Sequence, residues 1–170
     1  RPIQEFLAEA EDILESASRN LLTLEDEQAA GQVNPDLVNG LFRAVHSFKG
    51  LAGMFGLKAP AELSHKLEFL LDEIRLGKVP LGRETLSALS DVLGLLARLV
   101  QQSGTGQPFE DIAGAADRID RILANVQTGE PVERFNWMLT PIASRLFPAN
   151  PHAGKLAAVE DAWDTLKRDF

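Results

Sequence analysis

Apolar residues recur at three- and four-residue intervals almost throughout residues 3–126, with glycine or proline at each break in the pattern. That period is the mark of amphipathic helices, and alternation of the kind a half-buried strand needs is missing. The first helix is expected from Ile3 to Ala30, with Ile3, Phe6, Ala10, Ile13, Ala17, Leu21 and Leu24 inward and Gly31 as its stop. The second has Asn34 as candidate cap and Pro35 at its first position, runs to about Phe55 and ends at Gly56. The third carries Pro60 near its start and runs to Leu76, before Gly77. The fourth spans Glu84 to about Gln102, ahead of the breaker "SGTGQP". The fifth opens near Pro108, with Phe109, Ile112, Ala116, Ile119, Leu123 and Val126 at 3-4 spacing. Five such helices joined by short loops predict an all-α antiparallel bundle, a four-helix core plus a fifth helix.

"TGEP" at 128–131 marks a boundary, so residues 1–127 form one unit and 128–170 a helical appendage or linker. The appendage is expected as two shorter helices, Glu133–Phe147 and Gly154–Phe170, with Pro141 interrupting the first. It holds both tryptophans, Trp137 and Trp163, which are expected to pack on the bundle or on another chain.

Charge narrows the function classes. The 170 residues carry a formal net charge of −8. Acids and bases balance in residues 131–170, so the acidic excess lies in the bundle. Phosphate backbones demand a basic face, so a nucleic-acid partner is not expected. An acidic surface suits a protein that presents a basic patch. No run approaches the roughly 18–20 apolar residues of a membrane span, and no signal-peptide pattern is visible. With no cysteine, neither disulfides nor thiolate sites are available. A cytoplasmic protein is the expectation.

The second helix contains the unusual stretch, "AVHSFKGLAGMFGL" at 44–57. At about 100° per residue, Leu37, Leu41, Ala44, Phe48, Leu51 and Phe55 gather opposite His46 and predict the core stripe. Phe42, Arg43, Lys49, Gly50 and Gly53 share the side of His46. Each glycine inside a helix costs about 0.5–1 kcal/mol relative to alanine. Either the two glycines permit a close helix crossing, or they clear a surface on which another protein can approach an imidazole. Lys49, one turn from His46, opposes protonation of the ring. It becomes useful if the ring must carry a negatively charged group such as a phosphoryl.

A nucleophilic imidazole needs a free attacking nitrogen and an acceptor that holds the proton on the other one. The third helix, "AELSHKLEFLLDEI", has the stripe Leu63, Leu67, Leu70, Leu71 and Ile74. Glu68 lies at its edge, with His65 one turn before. Glu68 could reach across to His46, or Glu68 and His65 could be a solvated pair; spacing leaves both open. A metal-binding bundle would need several inward Glu-x-x-His sets, and one His-x-x-Glu on a rim does not supply them.

"LFRAVHSFKGLAGMFGL" followed by "LSHKLEFLLDEIRLGKVPL" closely resembles histidine phosphotransfer (HPt) domains, and most closely those that open the CheA family of chemotaxis-type histidine kinases. The resemblance covers roughly residues 3–127. It implies a helical bundle in which His46 accepts a phosphoryl group through Nε2. Glu68 would orient the imidazole, Lys49 stabilise the phosphoryl group and His65 play an auxiliary part. Gly50, Gly53, Arg43 and Phe42 would form the face on which partners dock. It also implies two partners: a kinase ATP-binding domain that donates the group, and a response-regulator receiver domain whose aspartate takes it. ATP and Mg²⁺ would sit on those partners, since no nucleotide-binding loop occurs here and no cofactor or metal is expected on this chain. The chain alone is then a substrate and carrier, a fragment of a histidine kinase. The alternatives are a free-standing phosphorelay carrier and a non-catalytic helical adaptor. Residues 128–170 depart from the resemblance, because the corresponding segment is commonly a flexible linker.

Overall fold

The computed structural model describes residues 2–125, and the calls on Val126, the appendage helices and both tryptophans lie outside the described residues. The order is α1 Pro2–Ala29, α2 Pro35–Met54, α3 Lys58–Arg75, α4 Arg83–Thr105 and α5 Ala113–Asn125, with no strand among the described residues. α1 packs on α2 and α4, and α3 packs on the same two, so four helices close a ring around one core. α5 lies outside the ring against α3 and α4. This is the expected four-helix core with a fifth helix. Short connections make consecutive helices antiparallel.

The helix ends follow from local chemistry. The Asn34 side chain accepts from the Asp36 amide at 3.0 Å, and its own amide donates to Glu27 of α1 at 2.9 Å. With Pro35 already at a helical φ, α2 therefore starts where the cap requires. Gly56 and Gly77, at φ +69° and +74°, end α2 and α3 in the left-handed conformation that side-chain-bearing residues resist. These two turns set the length of α3 and hence which of its residues stand opposite His46.

Two boundaries differ from expectation. α4 continues to Thr105, through Gly104. A Cβ on Gly104 would lie 2.8 Å from Leu7 of α1, so its bareness serves close helix packing. α5 starts at Ala113, not near Pro108. Glu110 is claimed by α4: its amide donates to Gln102 Oε1 at 2.9 Å, and its carboxylate pairs with Arg98 at 3.0 Å. Held this way, residues 107–112 cannot wind into a helix, although Phe109 and Ile112 still reach the core edge. The Asp111 side chain then accepts from the Ala113 amide at 2.9 Å and opens α5.

The core contains Phe6, Phe48, Leu24, Leu41, Leu63, Leu67, Leu70, Leu71, Ile74, Leu89, Leu96 and Leu99 fully enclosed. On α2 the buried set is Val38, Leu41, Val45, Phe48, Leu51 and Ala52; Leu37, Ala44 and Phe55 are only partly covered. The expected stripe was centred too far from His46. A bundle helix touches two neighbours and buries two flanks. Phe55 packs against Phe6 of α1, with ring centroids 5.2 Å apart, while Val38, Val45 and Ala52 form the other edge of the buried arc. That arc brings the His46 side of α2 to the rim of the α2–α3 seam instead of leaving it diametrically outside.

Candidate functional site

α2 and α3 run in opposite directions, so residues whose numbers rise on one helix meet residues whose numbers fall on the other. His46 and Lys49 face Glu68, and Phe42 faces Arg75, about two turns further along α3. Glu68 is the centre. Its side chain is 15% exposed, the His46 side chain 62%. Glu68 Oε1 lies 3.0 Å from His46 Nδ1. Glu68 Oε2 is shut off from solvent and lies 2.7 Å from Lys49 Nζ. The lysine's approach is too oblique for a well-formed hydrogen bond, so charge more than direction holds this pair.

Burial pushes the Glu68 carboxyl up, but the close Lys49 ammonium and the hydrogen bond and charge of His46 outweigh it and hold the group below its ordinary 4.5. Near neutral pH Glu68 is therefore a carboxylate, which can only accept. The hydrogen between it and His46 must reside on Nδ1. In the neutral ring that leaves Nε2 with its lone pair, across the imidazole from α3.

The other candidate residues divide. Gly50 and Gly53 are exposed on the same helix, and a Cβ built on either meets nothing within 4 Å among the described residues. Among the described residues, no helix crosses at either glycine. Arg43 is exposed and makes no hydrogen bond or ion pair among the described residues. His65 is likewise exposed and makes no hydrogen bond or ion pair with His46, Glu68 or any other described residue. Phe42 is half-buried at the core edge and lies nearly parallel to the His46 ring, at 15° with centroids 6.2 Å apart.

Sequence reasoning missed Asp72 and Arg75. The Arg75 guanidinium carbon sits 4.2 Å from the centre of the Phe42 ring, and Arg75 pairs with Asp72. A signal was available: Asp72 and Arg75 follow Glu68 at i+4 and i+7 and so share its helix face.

Residues 3–106, more than half of the chain, match the family model described as the Hpt domain. The chain belongs to the Hpt domain family. It is 38% identical over 101 residues to the chemotaxis protein CheA of Cereibacter sphaeroides, a match covering 59% of this chain and 15% of that protein. It is 31% identical over 120 residues to CheA of Listeria monocytogenes (69% and 19% covered) and 30% identical over 131 residues to CheA of Bacillus subtilis (75% and 19% covered). The matched region thus spans a fifth or less of the length of these relatives. The solution structure of the histidine phosphotransfer domain of CheA aligns at TM-score 0.64 and 25% identity, over 75% of this chain and 92% of that one. The phosphorylated P1 domain of CheA3 from R. sphaeroides, solved in complex with CheY6, aligns at TM-score 0.60 and 24% identity, over 74% and 95%. The second likeness is one of fold.

Proposed function

We propose that this chain is a phosphoryl carrier of two-component signalling, that His46 Nε2 is the acceptor atom, and that the chain works as part of a chemotaxis-type histidine kinase. The observation that carries this reading is the 3.0 Å contact of Nδ1 with an ionised Glu68 on an imidazole that is otherwise mostly exposed.

The chemistry follows from that contact. The Nε2 lone pair attacks the γ-phosphorus of ATP held by the kinase domain. The P–N bond forms as the bond to the β,γ-bridging oxygen breaks, and ADP leaves with the electron pair. Nδ1 keeps its proton, and Glu68 stabilises the positive charge that develops on the ring. In the second transfer a carboxylate oxygen of a regulator's aspartate attacks phosphorus, and the P–N electrons return to Nε2. Lys49 has two duties: its ammonium keeps Glu68 ionised, and it stands one turn from the phosphoryl group. His65 would act only as an auxiliary, from outside the hydrogen-bonded set.

The partners in this reading are a kinase ATP-binding domain and a response-regulator receiver domain, with ATP and Mg²⁺ on those domains. The CheA3 domain crystallised with CheY6 supports the second partner by likeness. The face offered to them holds Gly50, Gly53 and Arg43, with Phe42 at its margin. No helix among the described residues is long and apolar enough to cross a membrane, and a cytoplasmic place, where ATP is available, goes with the proposal.

The test is to mix the chain with ATP, Mg²⁺ and a chemotaxis-type kinase domain and to look for an acid-labile, base-stable phosphoryl group. Wild type should be labelled and His46→Gln should not. Equal labelling of the two would remove His46 as the acceptor.

A further inference from the structure

One hydrogen bond fixes which nitrogen of His46 carries the proton, but it does not fix the plane of the ring. The imidazole can still tilt about the line from Nδ1 to Glu68 Oε1, and any tilt swings Nε2 away from an incoming phosphorus. A mostly exposed ring at 62% has little packing to prevent this. A second contact, to the face of the ring, would do so.

Phe42 supplies that contact. It precedes His46 by one turn of α2, where i and i+4 side chains meet. Its ring is nearly parallel to the imidazole, 15° between planes, at a centroid separation of 6.2 Å, within the range of offset stacking. Phe42 is itself restrained. Its body packs against the core edge, and the Arg75 guanidinium sits 4.2 Å from its ring centre. Arg75 is tied in turn to Asp72, one turn back on α3. The chain of contacts runs Asp72, Arg75, Phe42, His46, and it starts from the same helix that supplies Glu68.

We propose that Phe42, braced by Arg75 and Asp72, is a positioning residue that sets the plane of the His46 imidazole and so aims Nε2. α3 then controls the acceptor twice: through Glu68 at the ring edge and through Arg75 by way of Phe42 at the ring face. The proposal rests on the phosphoryl-carrier reading and adds a residue to it. It also separates Phe42 from Gly50 and Gly53, whose part is to leave space for a partner.

The experiment uses two phosphoryl donors and one spectrum. Phosphoramidate, a small donor, needs no docking face; the kinase domain with ATP and Mg²⁺ does. The spectrum is that of the ¹³C-labelled His46 ring, whose relaxation reports how far the ring plane swings without any phosphorylation. Phe42→Ala should slow labelling by both donors roughly three- to tenfold. It should also widen the swing of the His46 ring while Nδ1 keeps its hydrogen bond to Glu68. Phe42→Tyr, which keeps the ring face, should restore most of the rate, and Arg75→Gln should fall between. Phe42→Leu retains apolar bulk without a ring face, and should behave as Phe42→Ala if the alanine variant folds poorly.

A Phe42→Ala or Phe42→Leu protein with an unchanged ring spectrum overturns the proposal. So does one slowed only with the kinase domain, since Phe42 would then be a docking contact. The underlying carrier reading fails separately, if His46→Gln is labelled like wild type. In that case the ring spectra still decide whether Phe42 orients the imidazole.

Discussion

Glu68 and Glu110 are both carboxylates held below their ordinary range by a cation, yet they stand in opposite circumstances. Glu110 is tied to Arg98 at the start of the segment leading into α5, and the Arg98 hydrogen bond is the larger cause of its lowered value. Water can replace either partner there, so the pair shapes a loop without committing a charge to the interior. Glu68 is half-buried in the α2–α3 seam, where Lys49 and His46 outweigh the effect of burial and hold its carboxyl below the ordinary value. An exposed ion pair is exchangeable with solvent. A buried carboxylate with two partners transmits any change in one partner to the other. The α2–α3 seam thus suits the reactive imidazole proposed for it, whereas the exposed ion pairs Arg118–Asp91, between α5 and α4, and Lys66–Asp120, between α3 and α5, are suited to holding helices together.

The comparison can be broken most directly by removing each carboxylate in turn. Glu68→Ala should reduce the rate of His46 phosphorylation roughly ten- to a hundredfold, because the ring loses its proton acceptor. Glu110→Ala should leave that rate alone. Equal rates for Glu68→Ala and wild type, with circular dichroism showing an intact fold, would take Glu68 out of the mechanism. Next in size is Lys49→Met. It leaves Glu68 Oε2 enclosed with no cation, and should cost about 1–3 kcal/mol in urea unfolding at neutral pH. A change within about 0.5 kcal/mol would show the pair to be no more than a surface ion pair.

Acid should sharpen the contrast. The folded-state value of Glu68 is depressed, so its contribution to stability is complete above its unfolded value, near 4.5, and is lost as pH falls through the lower folded value. Glu110 has the same sign, but its pair is exposed and screened by salt. Glu68→Gln should therefore flatten the acid limb of a stability-versus-pH curve, and added salt should not abolish the difference from wild type. The same limb for Glu68→Gln and wild type would contradict the assigned direction. The smallest effect is expected at Gly50→Ala, where the added methyl meets nothing within 4 Å among the described residues. It should stabilise the fold by about 0.5–1 kcal/mol while slowing transfer to and from partner domains. A stabilised variant with an unaltered partner reaction would show that the bare surface has no docking role.

Much of the bundle was legible because helix ends are decided by a few neighbouring atoms. Asn34 acts through its side chain on the next turn, Pro35, Gly31 and Gly77 through their own backbone, and all stand where the reading placed them. The start of α5 was not legible, because it depends on Gln102 and Arg98 of another helix capturing Glu110. His46, Lys49 and the glycines could be grouped on one face because a helix fixes their angular positions by covalent geometry alone. Val38, Val45 and Ala52 were missed as core because the width of a buried arc depends on how many neighbours the helix has.

The amino-acid sequence by itself determined five helices, the face that carries His46 and the membership of the Hpt family, since periodicity, capping and motif are local properties. Only the tertiary structure decided that Glu68, and not His65, is the hydrogen-bond partner of His46 among the described residues. It also decided that Arg75 reaches Phe42. Those relations join residues on different helices, and their distances are set by how α2 and α3 pack, which local spacing along either helix leaves open.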